Sequence, residues 1–211
     1  GSVVTWGSSA AGGDSSSVAN QLASGVVSIS SANNAFAALK ADGSVVTWGS
    51  ATYGGNSSTV SSRLQSGVVQ IYSSGGAFAA LKNDGSVVTW GAAGSGGNSS
   101  AVANKLTSGV AKVVSNGSAF AAIKTNGQLV TWGDQNFGGN SSSVSLPDAV
   151  IDITGNTGGF AAILSNGQVR QWGAISTAIY PPGYASKIVS SYGAFAAILP
   201  NGYGAAWGDP F

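Results

Sequence analysis

The sequence predicts an all-β fold, a β-propeller of short three-stranded blades, five in number. Two markers that drift together, a hairpin signal in every repeat, and repeats too small to stand alone predict it. Trp-Gly pairs begin at Trp6, Trp48, Trp90, Trp132, Trp172 and Trp207, with spacings of 42, 42, 42, 40 and 35. Phe36, Phe78, Phe120, Phe160 and Phe195, each inside "AFAAL" or a close variant, follow at 42, 42, 40 and 35. Markers that shorten in step define one repeating unit.

Each unit reads as three strands. A β-rich run opens it: Val26–Ser30, Val68–Tyr72, Ala111–Ser115, Val150–Thr154 and Lys187–Ser191. A polar turn leads to the alanine-rich run, Ala35–Lys40 in the first unit. Asp42-Gly43, Asp84-Gly85, Asn126-Gly127, Asn166-Gly167 or Asn201-Gly202 follows, pairs that suit a type I′ hairpin turn. The third run ends at the tryptophan: Ser44–Trp48, Ser86–Trp90, Gln128–Trp132, Gln168–Trp172 and a weaker Tyr203–Trp207. Between units lies a linker, "GGDSSSVANQLASG" at Gly12–Gly25, returning at Gly54–Gly67 and Gly96–Gly109. Asp14, Asn56 and Asn98 suit a helix N-cap, Val18/Leu22 and their equivalents one helical face, and Gly25, Gly67 and Gly109 its end. The fourth copy breaks at Pro147, and the fifth reads "ISTAIYPPGYASK".

A sheet of three five-residue strands is not stable alone and must stack on its neighbours. The "AFAA" run is expected on the strand nearest a shared axis, where alanines let backbones converge, while Phe, Trp and the Val pairs fill wider wedges. Residues 1–211 form one repeat domain with units at about 26–67, 68–109, 110–149, 150–186 and 187–211. The segment 2–7 is an orphan third strand. It is expected to close a ring on the last unit, whose "NGYGAAWG" is a poor strand. Two alternatives stay open: an excerpt of a six- or seven-bladed propeller, or self-assembly through the terminal strand. Because the chain starts in mid-repeat, it is expected to be a piece of a longer protein.

Composition narrows function. Apolar residues make up 43% and charged ones 7%, with net charge +1, so disorder by charge excess is excluded and no field steers nucleic acid or anionic lipid. No run approaches the roughly 20 apolar residues of a membrane span. Polarity comes from Ser, Asn, Thr and Gly, a surface more usual outside cells, so an extracellular or cell-surface location is expected. The chain has no His, Cys or Glu, which removes the common general bases, thiol nucleophiles and most metal ligands. No enzyme activity, cofactor or metal is expected.

Taken as a motif, Val26–Ser58 resembles the regulator-of-chromosome-condensation repeat, through Ile29, Phe36 to Leu39, Asp42-Gly43, Trp48-Gly49 and Tyr53-Gly54. All five units share the likeness, the last loosely. Its Ser-rich texture, "GGNSS" for the family's "GQLG", is similar to versions in large bacterial surface proteins. The resemblance implies a propeller and a range of roles: nucleotide exchange on a small GTPase, β-lactamase inhibition, and plain interaction modules. Exchange depends on acidic, specialised loops in the family, and this chain lacks them.

Two candidate surfaces follow. The least repeated, most exposed residues are Tyr53, Asp134, Gln135, Asn136, Phe137, Ile179, Tyr180, Tyr184 and Tyr192, a set suited to a protein partner. Asn56, Asn98 and Asn140 with their serines are a possible glycan rim, against the plainer reading that they cap the linker turn. Their Asn-Ser-Ser triplets, and Asn116-Gly117-Ser118, also match the glycosylation sequon. Function therefore reads as a non-catalytic interaction or structural module of a surface or extracellular protein, adhesin- or filament-like. The alternatives are a carbohydrate-binding lectin and a proteinaceous enzyme inhibitor. The six Trp and five repeat Phe are read as packing between blades.

Overall fold

The computed structural model describes residues 1–175 and 181–208. Among these residues fifteen strands form five separate three-stranded antiparallel sheets, each a meander of consecutive strands. They are β1 (Val26–Ser31), β2 (Ala35–Lys40) and β3 (Val45–Gly49); β4 (Val68–Ser73), β5 (Ala77–Lys82) and β6 (Val87–Gly91); β7 (Val110–Ser115), β8 (Ala119–Lys124) and β9 (Leu129–Gly133); β10 (Val150–Gly155), β11 (Gly159–Leu164) and β12 (Val169–Gly173); β13 (Lys187–Ser190), β14 (Ala194–Ile198) and β15 (Gly204–Gly208). The chain divides into two compact units, residues 1–109 and 110–211.

The alanine-rich strand is the central one of every sheet, not an edge strand, so the expected place nearest an axis is corrected. Its small side chains serve a different end: in the first four sheets both of its faces are packed, while in the fifth Ala196 and Ile198 are exposed. In the first unit Ala35, Ala37 and Leu39 face the second sheet, joining Leu64, Val68, Ile71, Phe78, Ala80, Val88 and Trp90 in one core. Phe36 and Ala38, on the opposite face, join Leu22, Val26, Val46 and Trp48. The second unit repeats the scheme, with Ala119, Ala121 and Ile123 against Val150, Ile153, Phe160 and Trp172. Ala161 and Ile163 pack in the same way against Ile188, Phe195 and Trp207.

Phe and Trp are cross-strand partners in each sheet, and their rings stack, with centroids 5.3 Å apart in the first three sheets and 5.6 and 5.4 Å in the last two. Such offset stacking adds about 0.5–1.5 kcal/mol to area burial. Four of the five sheets carry a bulge at the start of the first strand, where pairing steps from Val26 to Ser28, Val68 to Gln70, Val110 to Lys112 and Val150 to Asp152. The skipped residue is turned outward, which is why Val27, Val69 and Ile151 are exposed.

The hairpin turn differs from expectation. Among the described residues none other than glycine has positive φ, so Asp42-Gly43 and its equivalents are not type I′. Gly43 N–H donates to the Lys40 carbonyl at 2.9 Å while Gly43 itself has φ +78°. This is a type I turn followed by a left-handed glycine bulge. The reason is the side chain: Asp42 Oδ1 accepts both the Ser44 N–H (2.9 Å) and the Ser44 hydroxyl (2.7 Å), which holds Asp42 at negative φ. Asp84 does the same with Ser86. The Ser44 hydroxyl and then its N–H hold the Asp42 carboxyl below the usual carboxylate range. A depressed folded-state value favours the fold above the unfolded-state pKa, and that support is lost as pH falls through the folded value. Ser44→Ala should therefore raise the Asp42 value toward normal in a carboxyl-carbon NMR titration, with Asp84 unmoved as the internal control.

Ser2–Trp6, expected as a strand, belongs to no sheet among the described residues. Among the described residues no strand pairs with it, and Trp6 is 83% exposed where Trp48 and Trp90 are 3%.

Candidate functional site

Each sheet has two ends with different chemistry. At one end lie the hairpin turns and the close of each linker: Val68 N–H donates to the Gly43 carbonyl and Asn83 N–H to Gly67. Gly25, Gly67 and Gly109 close their linkers at φ +74°, +77° and +72°, as the sequence predicts. The first linker holds a 3-10 turn, Ser16–Val18, and one α-helical turn, Ala19–Leu22, and the next two form 3-10 helices, Ser58–Leu64 and Ser100–Lys105, with Leu22, Leu64 and Leu106 buried.

At the other end, the turn between first and second strands meets the loop that leaves the third strand. Ser50 N–H donates to the Asn34 carbonyl, Ala92 to Gly76, Asp134 to Ser118 and Ala174 to Gly158. The exit loop then makes a tight turn into Gly-Gly. The first glycine lies flat on the phenylalanine of the following sheet: a Cβ on Gly54 would sit 2.7 Å from the Phe78 ring, and one on Gly138 2.7 Å from Phe160. Its carbonyl accepts the tryptophan indole N–H, Trp48 to Gly12, Trp90 to Gly54 and Trp172 to Gly138, all at 3.0 Å. No Gly-Gly pair stands between the fourth and fifth sheets in the sequence, and Trp207 donates instead to the Gln171 amide oxygen at 2.7 Å.

These bonds place the residues predicted from sequence. Asp134 is a cap: its carboxylate accepts the Asn136 N–H at 2.9 Å, and its carbonyl accepts the Phe137 and Gly139 N–H groups. Gln135 and Asn136 project from the loop and are exposed. Phe137 and Tyr53 are half-buried at equivalent positions, Tyr53 resting on the core of the second sheet. Tyr192, 84% exposed, caps the β13–β14 turn, and its carbonyl accepts the Thr157 N–H and hydroxyl. Tyr184 is separated from it: it bridges to Gln168 beside the β11–β12 hairpin, at the opposite end of the sheets. Ile179 and Tyr180 lie outside the described residues. The set therefore divides, with Asp134 to Phe137 and Tyr192 at the exit-loop ends in the second unit.

Asn56, Asn98 and Asn140 are exposed, but their amide oxygens are engaged, each accepting the N–H of Ser58, Ser100 or Ser142 at 2.9 Å. Asp14 does likewise with Ser16 and is held below its ordinary value by it. The serine after each makes a second tie, hydroxyl to hydroxyl, with the third-strand threonine: Thr5 to Ser15, Thr47 to Ser57, Thr89 to Ser99 and Thr131 to Ser141, at 2.9–3.1 Å. The glycan-rim residues thus have local structural work on their oxygen side.

Sequence reasoning read Asn116 only as a glycosylation sequon and missed Asn156. Both are buried, and their amide oxygens accept two N–H groups of their own turns. The Asn116 amide nitrogen also donates to the Phe137 carbonyl at 2.7 Å, and Ser74 reaches the Ser95 carbonyl in the same way. Asn116, at 8% exposure, is no acceptor for a glycan in the folded chain. Its repeat position just after the first strand, polar in four of the five units as Ser74, Asn116, Asn156 and Ser191 with Ala32 in the first, is the signal that marks it.

The acidic residues are spread out. Asp152 pairs with Lys112 at 2.7 Å, and Asp148 accepts from Asn166 at 2.5 Å. Among the described residues no three metal-ligating groups converge, and no helix is long and apolar enough to cross a membrane.

No model of a known protein family matches the chain, and no curated protein does. Solved structures do. Human WBSCR16 superposes with a TM-score of 0.57 at 19% identity, covering 87% of this chain and 61% of its own. Prp20p from Saccharomyces cerevisiae, whose structure is described with its binding to Gsp1p and histones, gives 0.52 at 16% over 87% of this chain and 58% of its own. The fold is that of the RCC1-like β-propellers. The receptor kinase CR4 ectodomain of Physcomitrella patens shares it, at 0.55 and 17% identity over 87% of this chain and 50% of its own. The chain thus spans at most about three fifths of these RCC1-like proteins, and at such identities the likeness concerns fold alone.

Proposed function

We propose that the chain is a non-catalytic protein-interaction or structural module of a surface or extracellular protein, and that it meets its partner through the exit-loop ends of its sheets. The observation that carries this reading is the contrast between frame and loop. Phe, Trp, Gly-Gly and the Ser–Thr ties recur with nearly constant geometry, while the residue before Gly-Gly runs Ala11, Tyr53, Ser95, Phe137. Asn136 and Tyr192 are held out by bonds to their backbones, with Gln135 exposed beside Asn136, an arrangement suited to recognition. The engagement of Asp14, Asp42, Asp84 and Asp134 as caps argues against a catalytic role for them, and the lack of His, Cys and Glu points the same way. A fold shared with a receptor ectodomain is compatible with the surface location.

A photo-crosslinking side chain at Asn136 or Tyr192 should label specific proteins in a cell-surface extract of the source organism, and the same probe at Asn83, at the hairpin end, should not. Equal labelling from both ends removes the assignment of the face. Binding on a glycan array that is lost in Tyr53→Ala and Phe137→Ala would replace it with the lectin reading.

A further inference from the structure

The repeat has two unfinished faces that complement each other. At each junction inside a unit, one face of a sheet offers Ala, Ala and Leu or Ile from its central strand. The next sheet answers with Ile or Val, Phe and Trp. Leu39, Ile123 and Ile163 are accordingly 2–6% exposed, and Ile71, Ile153 and Ile188 4–8%. The last sheet offers the same donor face uncovered, with Ala196 exposed and Ile198 50% exposed beside Val189. The first sheet offers the answering face, with Ile29 47% exposed above a groove of about 310 Å³ lined by Val3, Trp6, Phe36 and Trp48.

Ser2–Trp6 identifies what belongs there. "SVVTWG" occurs three times, at 2–7, 44–49 and 86–91. The second and third copies pair with "AFAALK" strands. The first has no such strand, yet it is held in the corresponding seat. Val3 N–H donates to Leu22 at 3.0 Å as Val87 does to Leu106 at 2.9 Å. Val26 N–H donates to Gly1 as Val68 does to Gly43, and Thr5 meets Ser15 as Thr47 meets Ser57. It occupies the seat of a third strand, and among the described residues no first or second strand pairs with it. The strand it would replace elsewhere is weak: Gly204, Ala205 and Ala206 in β15 stand where Val45, Val46 and Thr47 stand in β3.

We propose that the chain associates head to tail with a second copy. The uncovered face of one copy's last sheet docks on the other's Ile29–Phe36 face. Ser2–Trp6 then pairs with β14 in place of β15, so that Trp6 stacks on Phe195. A contact between two different faces repeats from copy to copy, giving a fibre or a closed ring of chains. This inference does not rest on the exit-loop reading, because it uses neither Asn136 nor Tyr192.

Sedimentation of the full chain should show mass rising in multiples of one chain with concentration. Ile29→Asp and Ile198→Asp, both at half-exposed positions, should each remain monomeric. Mixed together they should form a 1:1 dimer and nothing larger, since each retains one intact face. Trp6→Ala should weaken association about tenfold. A wild-type monomer at every concentration overturns the proposal, whether Trp6 is open to a quencher or shielded within one chain. Association that survives in Ile198→Asp alone overturns the head-to-tail geometry, and association indifferent to Trp6→Ala overturns the strand replacement.

Discussion

Trp90→Ala is expected to remove about 3–5 kcal/mol of folding stability, while Trp6→Ala, in the same hexapeptide, should change it by less than about 0.5 kcal/mol in dilute solution. The sequence around the two residues is identical over six positions, so local propensity cancels. What differs is tertiary. Trp90 is 3% exposed, stacks on a Phe78 ring that is wholly buried, and donates its indole N–H to the Gly54 carbonyl at 3.0 Å. Truncation opens a cavity between two sheets and strands that carbonyl, so the transfer, cavity and hydrogen-bond costs add. Trp90→Phe keeps most of the packing and should cost about 1–2 kcal/mol, chiefly the unmet carbonyl. Urea denaturation of the three variants beside wild type measures all of it. A loss below about 1 kcal/mol for Trp90→Ala would mean that the ring is not a wedge between sheets, and stacking as the basis of the fold would go with it.

The contrast also shows what could be seen in the sequence. Trp48, Trp90 and Phe78 were legible as packing residues because a marker that returns every 42 positions must do the same job each time. That job is set by the repeat, not by local chemistry. The turn at Asp42-Gly43 was misassigned because the dipeptide fits two turns, and the choice is made by Ser44, whose N–H and hydroxyl capture the carboxylate. Val27 and Ile151 fall within β-rich runs that show no sign of a bulge, yet the bulge at each turns the residue outward. The ties from Thr47 to Ser57 and Thr89 to Ser99 span ten residues between two hydroxyls in a chain crowded with them, and nothing in composition singles them out. The grouping of exposed residues was the least legible. Tyr184 and Tyr192 are eight positions apart in sequence, yet they lie at opposite ends of the sheets, because β13 runs the length of the sheet between them.

Gly49→Ala is expected to cost about 3 kcal/mol or more, against roughly 1 kcal/mol for Gly7→Ala. Both glycines follow a Trp and precede a Ser, and both have positive φ, +97° and +102°. The backbone penalty for placing an L-residue there is therefore shared. Around Gly7 nothing lies within 4 Å of an added Cβ, and the backbone term stands alone. At Gly49 the new methyl would meet the Asn34 carbonyl oxygen at 2.6 Å and Ala35 Cα at 2.9 Å, both backbone atoms of the adjoining turn and strand. Neither can swing away as a flexible side chain would. The Ser50 N–H bond to that same Asn34 carbonyl, 2.8 Å, would be stretched as the strands part. The excess cost of Gly49→Ala over Gly7→Ala therefore reads the close approach of third-strand exit to first-strand turn, the contact that builds the exit-loop end in four of the five sheets. Equal costs for the two variants, measured by denaturant titration, would mean that this approach is not present in solution. The loops from Asp134 to Phe137 would then lack the backbone that holds them out.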